Sequence, residues 1–253
     1  MPSRSTNRSL QFDFFEEFPS REAFSRAKHI RVPTLVYIAA PELTTYYRHA
    51  ASLKAANRKL RTAYWPLLPR SYWISPFSFP DELKRIHDEL SSVTGLDVLL
   101  DLELPIRRPG LIFQNAHHFF SNRRLIREIL KLSHRFLLAE YPAIGPISQK
   151  VLQGLGISYP EHESCVMYYS SMIQSARIRH WMQKSIRIRA RNGQKTVGLG
   201  CLSKGILGTE PIITCEGLTE DIRFLRDAGC TRAVLFQLNG LDQKYAETLR
   251  NAN

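Results

Sequence analysis

The segment that decides the fold is Asp97-Val98-Leu99-Leu100-Asp101-Leu102-Glu103-Leu104-Pro105. Side chains on a β-strand point alternately to its two faces. The even-numbered positions from 98 to 104 are all apolar, whereas the odd-numbered positions carry Asp97, Leu99, Asp101 and Glu103. Carboxylates are rarely buried unless they are paired or used in chemistry. We therefore interpret the segment as a strand with one apolar face, two acids near its end and a proline that stops it.

Strand-like and helix-like patterns alternate along the chain on both sides of this segment. The predicted strands cover residues 10–15, 34–39, 61–67, 97–104, 136–140, 164–169, 196–201 and 232–238. The predicted helices cover residues 20–28, 43–59, 81–91, 122–132, 147–155, 172–184, 219–227 and 242–250. Eight such units in 253 residues are typical of a (β/α)8 barrel. The predicted fold class is α/β, a single TIM barrel over residues 10–253 after a flexible N-terminus of residues 1–9; an open doubly wound sheet is the alternative.

The composition of the chain bears on its expected location and on whether it binds a metal or a cofactor. No run of about 18 apolar residues is present, so no transmembrane segment is expected. The first nine residues lack the apolar centre of a secretory leader, and a cytoplasmic location is the default expectation. The four cysteines form no C-x-x-C pair, and we expect no metal and no cofactor. A metal site at His117 and His118 is disfavoured because adjacent histidines on a helix cannot face one point.

The chain is strongly basic, with 35 Lys and Arg against 23 Asp and Glu and a net charge of +12. Many of these cations fall in a predicted basic helix over residues 172–195. Such a surface attracts anionic polymers or anionic surfaces. A non-catalytic barrel that binds an anionic polymer through this helix is therefore one alternative for the function.

The active sites of these barrels lie where the strands end. Glu103 is the candidate general acid because it stands last on its strand, and Asp101, one pleat deeper, would orient it and adjust its pKa. A loop rich in Tyr and Trp follows the third strand, and flat aromatic faces suit the stacking of sugar rings. The candidate substrate-binding residues at the strand ends and in this loop are Asp13, Tyr64, Trp65, Tyr72, Trp73, Glu140, Tyr141 and Gln237. The predicted partner is an oligosaccharide or a polysaccharide.

Two short motifs carry a family resemblance. Asp101-Leu102-Glu103 resembles the end of the D-G-x-D-x-D-x-E pattern of the family 18 glycoside hydrolases, the chitinase-like barrels, although residues 96, 97 and 99 depart from it. Met167-Tyr168-Tyr169-Ser170 is similar to the family's Met-x-Tyr-Asp, with a departure at Ser170. The resemblance implies a barrel glycosidase in which Glu103 donates a proton. It also implies that Asp101 and Tyr169 position an N-acetyl group of the substrate.

Two other arrangements of the site remain open at this point. Many barrel glycosidases pair the acid after the fourth strand with a nucleophilic glutamate near the seventh, and Glu210 is the candidate for that role. In a retaining enzyme these two carboxyl groups stand about 5 Å apart. The second arrangement is a phosphate-binding lyase or isomerase that uses the loops after strands seven and eight. Its candidate phosphate ligands are Gly198, Gly200, Gly205, Gly208 and Lys204.

Overall fold

The computed structural model describes residues 9–143, 148–206 and 208–252, so the predicted flexible N-terminus lies outside the described residues apart from Ser9. The strands are β1 (Gln11–Glu16), β2 (Thr34–Ala40), β3 (Leu60–Pro66), β4 (Asp97–Asp101), β5 (Arg135–Glu140), β6 (Glu163–Tyr168), β7 (Thr196–Gly200) and β8 (Arg232–Phe236). The α-helices are α1 (Arg21–Ser25), α2 (Leu43–Ala56), α3 (Pro80–Ser91), α4 (Pro109–Asn115), α5 (Phe119–Leu130), α6 (Gln149–Gly154), α7 (Ala176–Arg191), α8 (Cys215–Ala228) and α9 (Gln243–Asn251). The eight strands run parallel and close into a barrel in chain order. The predicted TIM barrel is confirmed.

The alternation of side chains in β4 builds two separate apolar layers. Val98 and Leu100 face outward and pack in the large core between the strands and the helices, as does Leu102 just beyond the strand. Leu99 faces inward, where it belongs to a smaller cluster inside the barrel. The inward face of β4 therefore continues upward from Leu99 to Asp101, as the sequence pattern predicts.

The N-terminal ends of the strands, which we call the base of the barrel, carry a network of ion pairs and hydrogen bonds around Arg232. Arg232 on β8 contacts Asp13 on β1 at 2.5 Å and Glu163 on β6 at 3.1 Å. It also donates a hydrogen bond to the Tyr37 hydroxyl at 2.7 Å. Active sites of such barrels lie at the other end, and contacts at the base serve stability. The base network thus ties four strands together away from the mouth.

The helices differ from the predicted ones in an additional helix after β4 and in several bounds, of which the start of the basic helix has a clear cause. The segment between β4 and the next long helix contains an additional helix, α4, which the sequence pattern did not predict. The basic helix also begins later than predicted, at Ala176, because the Ser175 hydroxyl accepts a hydrogen bond from the Ile178 N–H and caps it there. Residues 170–172 form a 3-10 turn instead.

Gly240, in the loop after β8, packs directly against the loop after β7. A Cβ atom at this position would lie 2.3 Å from the carbonyl carbon and oxygen of Leu202. This clash involves backbone atoms, so no side-chain rearrangement relieves it. The two loops can approach this closely only because residue 240 has no side chain.

The substitution Gly240→Ala is expected to lower the free energy of unfolding by about 1–3 kcal/mol, the range typical of overpacking. Urea denaturation followed by tryptophan fluorescence measures the change. Gly110→Ala is the matched control, because a Cβ there meets nothing within 4 Å. Equal stability of the two variants would contradict the close approach.

Candidate active site

A cavity of about 390 Å³ opens at the mouth of the barrel, at the C-terminal ends of the strands. Its aromatic lining comes from Phe15, Trp65, Trp73, Tyr141, Tyr169 and Phe236. Its charged lining comes from Glu17, Asp101, Glu103, Arg107 and Glu210. An apolar cavity with a few converging polar groups is the usual form of a small-molecule or glycan site. Four carboxylates and one arginine give this one an acidic character.

The aromatic loop after β3 is joined to the end of β4. The Ile74 N–H donates to the Asp101 carbonyl at 2.9 Å, and the Glu103 N–H donates to the Ile74 carbonyl at 3.3 Å. These bonds extend β4 by a short parallel bridge between Ile74 and Leu102. Trp73, which precedes the bridge, is thereby held next to the two acids.

Glu103 lies half-buried at the cavity wall, where the Tyr141 hydroxyl donates a hydrogen bond to its Oε2 at 2.8 Å. Burial raises the pKa of Glu103 to about 7, against the opposing effect of the Tyr141 hydrogen bond. Asp101 is more deeply buried, and its burial and the nearby charges of Glu103 and Glu17 raise its pKa well above the ordinary value. A proton is therefore held in this group of acids near neutral pH.

Glu17 lines the cavity, whereas Asp13, the substrate-binding residue predicted from the first strand, does not. Glu17 follows β1 directly and is buried, and this burial raises its pKa to about 7. The Tyr72 hydroxyl donates a hydrogen bond to Glu17. Gln237 accepts a hydrogen bond from the Glu17 N–H at 2.9 Å and donates one to the Lys204 carbonyl at 2.9 Å. Tyr72 and Gln237 thus position a cavity residue and do not line the cavity themselves.

Three polar atoms of the cavity residues have no hydrogen-bond partner within the part of the chain that the structure describes. They are Glu17 Oε2, Asp101 Oδ1 and Trp65 Nε1. Buried polar groups are almost always paired in native proteins. A polar ligand with hydroxyl groups would supply partners for all three.

Three predicted substrate-binding residues do not face the mouth, and these predictions are wrong. Tyr64 points outward, where its hydroxyl bonds Glu89 on α3 at 3.1 Å. Glu140 is buried against Arg189 on α7, with their charged atoms 3.1 Å apart. Asp13 lies at the base of the barrel in the network around Arg232.

The predicted residues after β6 and β7 do line the cavity. Tyr169 stands beside Gly200, where an added Cβ would lie 2.9 Å from its ring. Gly205 is likewise crowded by the Phe236 ring and by Glu210. Gly198 and Gly200 lie within β7 and not in the loop that follows it. The phosphate-binding alternative stays a prediction for Gly205, Gly208 and Lys204.

The cations of the basic helix and the histidine pair lie outside the cavity, although Met182 on the inner side of α7 contributes to its lining. Part of the charge on α7 is used structurally, because Arg189 binds Glu140 and Arg187 covers the Phe224 ring at 4.9 Å. His117 and His118 contact each other, with ring centroids 3.8 Å apart. Among residues 9–143, 148–206 and 208–252, no group of three or more His, Cys, Asp or Glu side chains is placed to hold a metal ion.

The substitution Tyr141→Phe is expected to raise the pKa of Glu103 above its value of about 7, because it removes a hydrogen bond that favours the charged form. NMR titration of the labelled Glu103 carboxyl carbon measures the shift. Because the folded-state pKa lies above the ordinary 4.5, the carboxyl lowers stability as pH rises from about 4.5 to 7. This decline should extend to higher pH in the variant. An unchanged or lower Glu103 pKa would contradict the expectation.

Comparison with known proteins gives a likeness of fold. No family model matches the sequence, and no curated protein matches it. The glycoside hydrolase domain of PgaB (BpsB) from Bordetella bronchiseptica aligns with 97% of this chain and 98% of its own at 16% identity and a TM-score of 0.55. A GH18 chitinase from Cycas revoluta, solved in complex with (GlcNAc)3, aligns with 96% of this chain and 99% of its own at 11% identity and a TM-score of 0.53. A trimodular GH5_4 subfamily endoglucanase aligns with 97% of this chain and 60% of its own at 13% identity and a TM-score of 0.51. The chain is thus a barrel of the kind found in these glycoside hydrolases.

Proposed function

We propose that the protein is a glycoside hydrolase that cleaves a carbohydrate chain in the cavity at the mouth of the barrel. The observation that carries the proposal is Glu103, a carboxyl group with a pKa raised to about 7 on the wall of an aromatic-lined cavity. A general acid works best when its pKa lies near the working pH. The fold shared with the GH18 chitinase and the PgaB domain supports the same conclusion.

In the proposed reaction the protonated Glu103 gives its proton to the glycosidic oxygen as the bond from that oxygen to the anomeric carbon breaks. Glu17, whose pKa of about 7 leaves part of it ionised near neutral pH, stabilises the positive charge that develops on the sugar ring, and Asp101 orients Glu103. Water completes the hydrolysis, and the proton that it releases restores the acid. The aromatic lining holds the sugar rings by their apolar faces.

Two groups fit the role of partner at the anomeric carbon. The resemblance to family 18 implies the N-acetyl group of the substrate, positioned by Asp101 and Tyr169. The other group is Glu210, which also lines the cavity. The substitution Glu210→Gln distinguishes them. Turnover is lost if Glu210 is the nucleophile, and it is largely kept if the N-acetyl group of the substrate has that role. Rescue of Glu210→Ala by azide, which enters the space left by the shorter side chain and forms a glycosyl azide as the glycosidic bond breaks, would assign the nucleophile to Glu210.

The activity is tested by incubating the protein with a panel of oligosaccharides that includes (GlcNAc)3, because the Cycas revoluta neighbour was solved with that ligand. New reducing ends are expected for at least one member. A panel that is neither cleaved nor bound would contradict the proposal. Binding without cleavage would leave a carbohydrate-binding barrel in its place.

The substitution Trp73→Ala is expected to weaken oligosaccharide binding about tenfold, because the cavity loses one stacking surface. Isothermal titration calorimetry with the bound member of the panel measures the change. Trp181→Ala is the matched control, since Trp181 lies on α7, outside the cavity. Equal losses in both variants would place the sugar elsewhere.

The binding of an anionic polymer through α7 stays a prediction. Arg177, Lys184 and Arg191 are exposed on this helix, which carries no acidic residue. Arg177 covers the Trp181 ring at 4.6 Å. Charge reversal at Lys184 and Arg191 would weaken binding to such a polymer and leave hydrolysis unchanged.

A further inference from the structure

Large apolar side chains are exposed mainly at one end of the barrel. Twelve are exposed among the described residues. Eight of these lie between the end of a strand and the first turn of a following helix, and a ninth, Phe113, lies in the second turn of the short helix α4. That part of each unit forms the mouth face of a parallel barrel. Examples are Phe18 after β1, Ile106 and Phe113 after β4, and Ile206 and Ile212 after β7.

The excursion between β4 and the first turn of α5 carries the most exposed of these side chains. Phe113 is 82% exposed, Phe120 is 80% exposed and Ile106 is 65% exposed. Single exposed apolar residues are common on protein surfaces. Two phenylalanines exposed to this degree beside an open cavity are unusual, and such surfaces mark sites of interaction.

Cations alternate with these apolar side chains along the chain. Arg107 and Arg108 follow Ile106, Arg124 lies one helical turn after Phe120, and Lys204 precedes Ile206 by two positions. All four cations are exposed, and none forms a salt bridge within the described residues. The mouth face therefore combines projecting apolar groups with exposed cations around the acidic cavity. Arg107 acts electrostatically on Glu103 and Arg124 on Glu128, whereas Arg108 and Lys204 form no salt bridge among the described residues.

We propose that the mouth face docks on the surface of an anionic phospholipid bilayer. The apolar side chains would enter the boundary between headgroups and acyl chains, and the arginines and lysine would pair with anionic headgroups. The charge pattern matches such a surface. The apolar groups project singly from several loops, which suits a fluid surface better than the continuous patch of a protein interface. No helix among the described residues is long and apolar enough to cross a membrane, so the docking is peripheral.

Co-sedimentation of the full chain with vesicles tests the proposal. Vesicles of phosphatidylcholine with about 30% phosphatidylserine should bind the protein, vesicles of phosphatidylcholine alone should bind it weakly, and added salt should weaken the binding. The double substitution Phe113→Ser with Phe120→Ser should weaken binding to the anionic vesicles about tenfold or more, because both rings leave the bilayer. Both side chains are exposed, so the thermal melting curve should stay unchanged.

Val32→Ser is the matched control, since Val32 is 62% exposed but lies in the loop before β2, at the base. Val32→Ser should bind vesicles like the unchanged protein. Glu103→Gln should also bind them like the unchanged protein, because vesicle binding does not depend on the proposed hydrolase activity. Absence of binding to anionic vesicles, or an equal loss in Val32→Ser, would overturn the proposal. A dimer in light scattering that the two phenylalanine substitutions dissociate would also overturn it, by assigning the face to a second copy of the chain.

Discussion

Replacing Glu103 with glutamine is expected to lower the turnover of a cleavable oligosaccharide about 10³-fold, because general acid catalysis contributes 10²- to 10⁴-fold. Glutamine keeps the size of the side chain and accepts the Tyr141 hydrogen bond, but it has no proton to give to the leaving oxygen. The binding constant should change little, because the contacts of the sugar with the aromatic lining remain. Steady-state kinetics with calorimetry on the same variant separates the two effects.

Folding of the Glu103→Gln variant should be preserved, and its stability above pH 7 should rise, since the buried charge has been removed. Glu161→Gln is the matched control, because Glu161 is an exposed carboxylate outside the cavity. A Glu103→Gln variant with normal turnover would refute the assignment of the acid. A variant that loses activity only because it unfolds would show a shifted melting temperature.

Replacing Arg232 with methionine is expected to lower the free energy of unfolding by about 3–5 kcal/mol, the cost of leaving a buried charge without its partner. The Asp13 side chain is fully buried, and among the described residues it would keep the Leu35 N–H at 2.8 Å and the Gln11 amide at 3.2 Å as its donors. Denaturant unfolding at neutral pH measures the loss. Activity of the folded fraction should remain, because the base lies at the opposite end of the barrel from the cavity.

Two further variants make the Arg232 result specific. Arg61→Met removes an ion pair with Asp97 in which the arginine is 64% exposed, and it should cost less than about 1 kcal/mol. Adding Asp13→Asn to Arg232→Met removes both charges and should recover much of the lost stability. A mild effect of Arg232→Met alone would show that the base network is not a main source of stability.

The fold could be predicted because the strand–helix pattern is repeated eight times. An error in the bounds of one strand does not change the number of strand–helix units. The alternation in β4 was also sufficient to place Asp101 and Leu99 on the inner face. The alternation of inward and outward side chains does not tell how far along the barrel axis an inward residue lies. Asp13 and Glu17 both lie on the inner side of β1, but β1 ends at Glu16, so only Glu17 reaches the mouth.

Tyr64 and Glu140 were misplaced for a related reason. Each stands next to a residue that does face inward, Trp65 and Ala139, and a shift by one position moves a side chain to the other face. The bridge between Ile74 and Leu102 could not be predicted at all, because it joins a loop without periodicity to a strand distant in sequence. The local sequence pattern was therefore sufficient to identify Asp101 and Glu103. The residues that surround them in the cavity follow from tertiary contacts, which the pattern does not contain.

The close approach of Gly240 to Leu202 has a consequence for the history of this barrel. Under the proposed function the acids at the mouth are retained for chemistry, so a lineage that lost catalysis would be free to lose them. Residue 240 is restricted by shape alone, so we expect descendants with and without activity to keep glycine there. A glycine at residue 240 could thus identify a common ancestor even in descendants whose acids at the mouth have been replaced.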